Sequence, residues 1–269
     1  MQPQIIGFGA HKAGTTWLHD NLVTNPGVWG PPLKEMHYFT HRMTGNRWMM
    51  RGHRERLRGR RDLALSNGMT GKAAYFGRLL KIPMLSEEWY RAVYNRCPVD
   101  RQSLDITPAY ALLDEDTLRY MNCLLGDQFK AIYLIRDPAS RIISAVKSYA
   151  AAAGRKGSTI EFWLEHVTQP AHRLRSDYQR TVNLLDEQLG DRVLYLPFGR
   201  LRTDPVNVLR EVEAHCCLPE GDYQQPEKAK HVSPLVVLPE GLYDAVQILL
   251  RKQYNWLEQR FDRSFLVSV

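Results

Sequence analysis

The stretch IIGFGAHKAGTTWL, Ile5 to Leu18, constrains the fold of this chain more than any other. An apolar run breaks into a loop of small residues with one lysine and then restarts as a helix. Strand, loop and helix in that order hold phosphates, because the loop amides and the helix N-terminus are unpaired donors with a partial positive charge. The triphosphate-binding version reads GxxxxGK[ST], with its lysine directly after the second glycine. Here Gly9 and Gly14 have the right separation, but Thr15 follows Gly14 and the lysine, Lys12, lies inside the loop. The segment reads as a phosphate loop of a different kind.

The rest of the chain repeats the alternation. Gln4 to Gly9 reads as a buried strand and Thr15 to Asn25 as its helix, with further strands at Ser103 to Ile106, Phe129 to Ile135 and Arg192 to Leu196. Helices are expected at Ser86 to Cys97, Asp114 to Leu125, Pro138 to about Ala152 behind an Asp137 cap, Ser158 to Leu189 with a break near Pro170, Asp204 to Cys216, and Pro239 to Arg260. Val28 to Phe39 reads as irregular, and residues 40–72 as a basic excursion outside the sheet. Strands separated by helices predict an α/β fold, a parallel β-sheet flanked by helices on both faces, with ligands at the carboxyl ends of the strands. A length of 269 residues, 44% of them hydrophobic, fits one domain over 1–269.

No run approaches the roughly eighteen apolar residues of a membrane span. With the loop opening soon after Met1, we expect no signal peptide and a cytoplasmic protein. Cys97, Cys123, Cys216 and Cys217 lack metal-ligand spacing and read as free thiols, three of them in apolar contexts. The net charge of +7 is unevenly placed, since RGHRERLRGRR, Arg51 to Arg61, carries six arginines against Glu55. That segment can be a solvated face, a lid, or a recognition surface for an acidic substrate. Nucleic acid is not expected as a partner, because the run has no interleaved aromatics for bases to stack on.

A second anion site is suggested by YLIRDPASRIISAVKSY. Arg136 follows a buried strand and so projects at the edge where the loop of Lys12 also emerges. The helix from Pro138 places Ser140, Ser144 and Lys147 or Ser148 on one face. A guanidinium and a helical hydroxyl arriving at one edge can share a phosphate. The plainer alternative is an Arg136 paired with a carboxylate and a Ser144 merely tolerated in its helix.

Together these segments resemble the sulfotransferases that use 3′-phosphoadenosine 5′-phosphosulfate. KAGTTWL, Lys12 to Leu18, is similar to the family's 5′-phosphosulfate loop. RDPASRIISAVKSY, Arg136 to Tyr149, is similar to its 3′-phosphate segment, and VLYLPFGRLRTDPVNVLREV, Val193 to Val212, to its later strand and helix. KEMHYF, Lys34 to Phe39, and DITPAY, Asp105 to Tyr110, resemble the branch that includes heparan-sulfate sulfotransferases. Arg51 to Arg61 and the last forty or so residues resemble the family less.

The resemblance implies a phosphate-loop, nucleotide-kinase-like sulfotransferase fold and in-line transfer of a sulfonyl group to a hydroxyl or amine. The donor would be 3′-phosphoadenosine 5′-phosphosulfate, the product adenosine 3′,5′-bisphosphate, and no metal would be required. It assigns the 5′ end to Lys12, the amides of Ala13, Gly14, Thr15, Thr16 and Trp17, and the hydroxyls of Thr15 and Thr16. Arg136 and Ser144 fall to the 3′-phosphate, and Phe198 to the adenine. Lys12 would stabilise charge on the bridging oxygen as the bond to sulfur breaks. Glu35 is the implied base, with His37 the candidate other branches suggest and Lys34 assisting by charge. Burial near Pro31, Pro32 and Tyr38 is expected to raise the Glu35 pKa toward neutrality. Thr107, Pro108 and Tyr110 would shape the cleft for a small-molecule or saccharide acceptor, acidic ones included.

Three rivals stay open from the sequence. A small-molecule kinase would need a carboxylate at a strand end to hold Mg²⁺, for which Asp105 is the candidate. A dinucleotide enzyme would use Gly7-Phe8-Gly9, which lacks the third glycine at the required spacing. A non-enzymatic polyanion binder would rest on Arg51 to Arg61 alone.

Overall fold

The computed structural model describes residues 2–154, 159–228 and 236–269. Its five strands are β1 (Ile5–Gly9), β2 (Val28–Trp29), β3 (Gln102–Ile106), β4 (Lys130–Ile135) and β5 (Val193–Pro197). They form one sheet in the order β2-β3-β1-β4-β5, with every neighbouring pair parallel. β1 lies in the middle, and all five of its residues are buried, as an apolar strand covered on both faces requires. Helix α1 (Thr15–Leu22) carries the chain from β1 toward β2 at one edge, while β4 lies on the other side of β1 and leads on to β5. Connections leaving in opposite directions open a crevice at the carboxyl ends of β1 and β4, the usual place for a ligand in such a sheet.

Helices flank this sheet. The excursion expected at 40–72 is helical and runs further than the sequence suggested: α2 (Tyr38–Thr44) is followed by α3 (Met49–Ser66) and α4 (Thr70–Lys81), which pack as a hairpin, and then by α5 (Glu87–Tyr94). α6 (Glu115–Leu125) and α7 (Pro138–Ala152) stand where the pattern placed them, and the Asp137 carboxylate caps α7 by accepting from the Ser140 amide at 2.6 Å. Ser158 lies outside the described residues, and the helical stretch after it is three helices, α8 (Ile160–Val167), α9 (Pro170–Leu174) and α10 (Tyr178–Leu189). α11 (Arg200–Thr203) and α12 (Pro205–Cys216) follow β5. The single helix expected from Pro239 to Arg260 is two, α13 (Leu242–Leu249) and α14 (Arg251–Arg260), before a final α15 (Arg263–Val267). The stretch read as irregular contains β2, whose Val28 and Trp29 pair with Gln102 and Ser103, a strand too short to show a period.

Among the described residues the apolar interior forms two clusters. The main core spans the sheet and includes Ile5, Ile6, Phe8, Leu104, Ile106 and the run from Ala131 to Ile135. A second cluster joins Ala139, Ile142, Ile143 and Val146 of α7 to Trp163 and Val167 of α8 and to Leu242, Val246 and Leu250 near the C-terminus. Burying a side chain of this size contributes about 1.5–3 kcal/mol, so this second cluster fixes α7 against α8 and α13. Among the described residues no helix is long and apolar enough to cross a membrane. All four cysteines are free thiols, with Cys97 and Cys216 buried and Cys123 and Cys217 exposed, so two rather than three sit in apolar surroundings.

Gly14 couples the first loop to β5. Its φ is +87°, and a Cβ there would lie 2.5 Å from Leu201 Cδ2 and 3.3 Å from the Phe198 ring. Gly14→Ala is therefore expected to lower stability by about 1–3 kcal/mol through left-handed strain and the clash together. Thermal unfolding is the check, and an unchanged melting temperature would show that the loop is not packed in this way.

Candidate active site

The loop after β1 is assembled from local donors and strain. The Ala10 amide donates to the Leu134 carbonyl at 2.9 Å and ties the loop to β4. Lys12 takes a φ of 67° and Gly14 one of 87°, which turn the chain sharply into α1. Among the described residues no side chain caps that helix, so the amides of its first turn, from Thr15 to Trp17, stand as open donors at its positive end. The Ala13 amide is not among them, because it donates to the Ala10 carbonyl at 3.1 Å. Trp17 can offer only its backbone: its indole is buried and donates to the Pro226 carbonyl at 2.6 Å.

Two cations meet at this edge. Arg136 Nη1 donates to the Lys12 carbonyl at 2.6 Å, and its guanidinium lies 4.6 Å from the centre of the Phe198 ring. Lys12 Nζ donates to Ser148 Oγ on α7 at 2.8 Å. Among the described residues neither cation has a carboxylate within ion-pair distance, which removes the plainer alternative for Arg136. Burial pushes the pKa of both below its ordinary value, and for Lys12 the adjacent Arg136 adds to the effect. Ser144 is buried one turn before Ser148, whose hydroxyl also donates to the Ser144 carbonyl at 3.1 Å. The spacing of Ser144 and Ser148 was visible in the sequence; that Ser148 would receive Lys12 was not.

The segment Lys34 to His37 folds over the same helix start. Lys34 Nζ donates to the Thr16 hydroxyl, and burial holds the Lys34 pKa below its ordinary value. Glu35 and His37 both adopt left-handed backbone, with φ of 57° and 54°, and their side chains face one another with Glu35 Oε2 3.5 Å from His37 Nε2. Lys34 Nζ lies 4.0 Å from Glu35 Oε1. Burial tends to raise the Glu35 pKa, but His37 and then Lys34 outweigh it, so the carboxyl titrates below its ordinary value. This corrects the expectation of a pKa raised toward neutrality. Tyr38 stacks on Tyr90 at 4.4 Å and the Trp48 ring packs edge-on against His37 at 5.3 Å.

The sequence matches the profile of the sulfotransferase family over residues 3–222. The chain belongs to that family. The fold is shared with solved sulfotransferases. One from Alicyclobacillus acidocaldarius is 18% identical, with a TM-score of 0.69 over 98% of each chain. A sulfotransferase domain from the curacin biosynthetic pathway is 18% identical, with a TM-score of 0.57 over 88% of this chain and 81% of that one. A domain from the Synechococcus PCC 7002 olefin synthase is also 18% identical, with a TM-score of 0.52 over 84% and 76%. No curated protein was found to match. Membership of the family supports sulfonyl transfer as the activity.

In this sulfotransferase the DITPAY residues expected at the acceptor cleft lie beneath the surface. Thr107, Pro108 and Tyr110 are buried, and the hydroxyls of Thr107, Tyr110 and Tyr90 donate to the buried Asp105 carboxylate at 2.7, 2.8 and 3.0 Å. The Met36 backbone also bonds to Asp105, so this cluster is the floor beneath Glu35 and His37. Burial raises the Asp105 pKa against the pull of these donors. A second buried charge, Arg141 on α7, was not singled out from the sequence. It donates to Ser176 Oγ through Nε at 2.9 Å and to the His172 carbonyl at 2.9 Å, and burial pushes its pKa down to about 10. Arg141 thus pins the turn between α9 and α10 against α7.

Tyr110→Phe separates a floor from a cleft. As floor, it leaves Asp105 one donor short and is expected to cost about 1–2 kcal/mol of stability, measured by denaturant unfolding, with the acceptor KM unchanged. A raised KM at unchanged stability would return Tyr110 to the acceptor.

Proposed function

We propose that the chain is a one-domain sulfotransferase that takes its sulfonyl group from 3′-phosphoadenosine 5′-phosphosulfate and transfers it to a hydroxyl or amine. The observation that carries the proposal is the adjacency of Lys12 and Arg136, each without a carboxylate partner among the described residues. A donor with anionic groups at both its 5′ and 3′ ends calls for two neighbouring anion sites. A triphosphate calls for one, with carboxylates for Mg²⁺. The kinase alternative loses its candidate, since Asp105 is buried and already accepts from Tyr90, Thr107 and Tyr110. The likeness to the heparan-sulfate branch rests on KEMHYF and DITPAY alone, and it remains the support for Glu35 as base.

In this proposal Lys12, the hydroxyls of Thr15 and Thr16, the Gly14 amide and the open amides of Thr15 to Trp17 hold the 5′ end, and Arg136 with Ser144 holds the 3′-phosphate. Phe198, which already carries the guanidinium on its ring, is assigned the adenine contact. The donor, when bound, supplies the sulfonyl group. Glu35 takes the proton of the acceptor as that oxygen or nitrogen bonds to sulfur. The bond from sulfur to the bridging oxygen breaks, its electron pair stays on that oxygen, and the Lys12 ammonium stabilises the charge. Lys34 holds the base segment on α1, and His37 orients Glu35.

Binding tests the two anion sites. Adenosine 3′,5′-bisphosphate is expected to bind and to raise the melting temperature well beyond AMP, because a ligand of the native state stabilises by mass action. Arg136→Ala is expected to remove most of that preference, a loss of about 1.5–3 kcal/mol by calorimetry. Equal affinities of wild type for AMP and the bisphosphate would sink the 3′-phosphate assignment.

The pH profile tests the base. Because Glu35 titrates below its ordinary value of 4.5, it is ionised throughout the neutral range. The acid limb of kcat/KM should therefore fall below pH 4.5, with activity lost only as Glu35 is protonated. Glu35→Gln is expected to cost roughly 10²–10⁴ in rate with bisphosphate affinity intact. A mild loss in Glu35→Gln, with His37→Gln losing far more, would make His37 the base.

A further inference from the structure

The positive charge of the molecule sits on one element. From Arg47 to Lys81, the α3–α4 hairpin with its leading turn, ten lysines and arginines face only Glu55 and Asp62, a local charge of +8. The whole chain carries +7, so everything outside the hairpin sums to −1. Arg47, Arg51, Arg54 and Arg58 follow at steps of four, three and four residues and share one face. With Met50 and Glu55 they line an open groove of about 560 Å³. On α6, Arg119 meets both Glu115 and Asp116, and on α5 Arg91 meets Glu87. On α3, Arg51 pairs with Glu55, but Arg47, Arg54 and Arg58 have no carboxylate within ion-pair distance among the described residues.

The same face ends in apolar side chains. Continuing from Arg58 at steps of three and four, it reaches Arg61 and then Leu65. Around the turn into α4, Leu63, Leu65 and Met69 are 62%, 56% and 47% exposed, and Trp48 is 65% exposed at the other end of α3. The hairpin does not need them for its own interior, which is built from the buried Leu57, Ala64, Ala73, Phe76 and Leu79. In water this surface is unfavourable on two counts. Like charges at these spacings destabilise a helix, and the apolar tip stays hydrated. Both are relieved by a surface that is negative outside and apolar beneath.

We propose that the α3–α4 hairpin docks the enzyme on an anionic membrane surface. Arg47, Arg51, Arg54 and Arg58 lie along the lipid phosphates, whose geometry matches the guanidinium fork. Leu63, Leu65 and Met69 enter the boundary between headgroups and acyl chains, and Trp48 takes the interfacial position that its ring favours. A soluble acidic polymer would satisfy the arginines and leave the tip in water. A protein partner would call for an apolar centre with charges at the rim, whereas here the arginines hold the centre and the apolar side chains the ends. The attachment is peripheral, since no described helix is long and apolar enough to cross a membrane. The inference concerns where the enzyme sits and is independent of the donor assignment.

The test is cosedimentation of the whole chain with lipid vesicles. Wild type should partition onto phosphatidylcholine vesicles containing about a third phosphatidylglycerol at least roughly tenfold more strongly than onto phosphatidylcholine alone, and more weakly as salt is raised. The triple variant Arg47→Gln, Arg54→Gln, Arg58→Gln should lose at least about tenfold of that partitioning. So should Leu63→Gln, Leu65→Gln, Met69→Gln, while binding soluble dextran sulfate within about twofold of wild type. All six positions are exposed and glutamine is a good helix former, so both variants should keep the wild-type melting temperature. Arg251→Gln, Lys252→Gln, Arg263→Gln removes as much charge from exposed positions elsewhere and should partition within about twofold of wild type. Equal partitioning of wild type onto charged and neutral vesicles, or onto neither, overturns the proposal. So does an equal loss in the control variant, or full partitioning of the arginine variant. Full partitioning of the apolar variant overturns it too, and makes the stripe a site for a soluble polyanion.

Discussion

The bond from the Arg136 guanidinium to the Lys12 carbonyl holds the site together, because it fixes the end of β4 to the loop that follows β1. Two cations placed this close, partly withdrawn from water and without a carboxylate between them, repel each other and lose solvation. Such an arrangement persists only when the surrounding structure over-determines it. Here the constraints are visible: Ala10 bonded to Leu134, Phe198 under the guanidinium, Ser148 on the ammonium, and Gly14 packed where a Cβ would not fit. In the proposed function an anion relieves that repulsion, and the uncapped start of α1 offers its amides to the same one.

The proposed base depends on a different device. Lys34 to His37 is an irregular segment with left-handed backbone at Glu35 and His37, which ordinary residues adopt only at a cost. Asp105 makes that conformation affordable from below. Its carboxylate collects three hydroxyls and the Met36 backbone, in a buried position where an unpaired charge would be expensive. The hydroxyls that resemblance assigned to an acceptor cleft are thus consumed in building the floor of the base. A motif such as DITPAY can accompany a function through the support it gives to another segment, without touching the ligand.

Much of the fold was legible because it follows from period and punctuation. The strand, loop and helix at Ile5 to Leu18, the Asp137-Pro138 start of α7 and the strand before Arg136 all carry local signals, and the parallel sheet follows from their alternation. The two-residue strand β2 had no signal, since it is specified by its partner β3 and not by its own sequence. At Leu250, where φ is −102° and ψ is 12°, one expected helix becomes two. In the site, chemistry at strand ends could be read, since topology brings the ends of parallel strands together. Contacts that depend on which way a side chain turns could not: Ser148 receiving Lys12, Ala13 spending its amide on Ala10, the Trp17 indole reaching Pro226, and Arg141 buried beneath α9.

The direction of the Glu35 shift bears on how the proposed reaction is shared between residues. His37 and Lys34 keep the carboxylate ionised, and a carboxylate that titrates low is always ready to accept a proton but has little appetite for it. A base of that strength suits a displacement in which the bond to the leaving oxygen is largely broken before the new bond forms, the loose kind of transition state seen in phosphoryl transfer. Charge then builds on the bridging oxygen earlier than on the acceptor, and the proton is lost late, when even a weak base suffices. The heavier demand falls on Lys12, whose ammonium is placed in the field of Arg136 and the open end of α1. In such a division of labour the cationic edge of the sheet carries the charge on the leaving oxygen, and Glu35 takes the proton late, as the bond to sulfur forms.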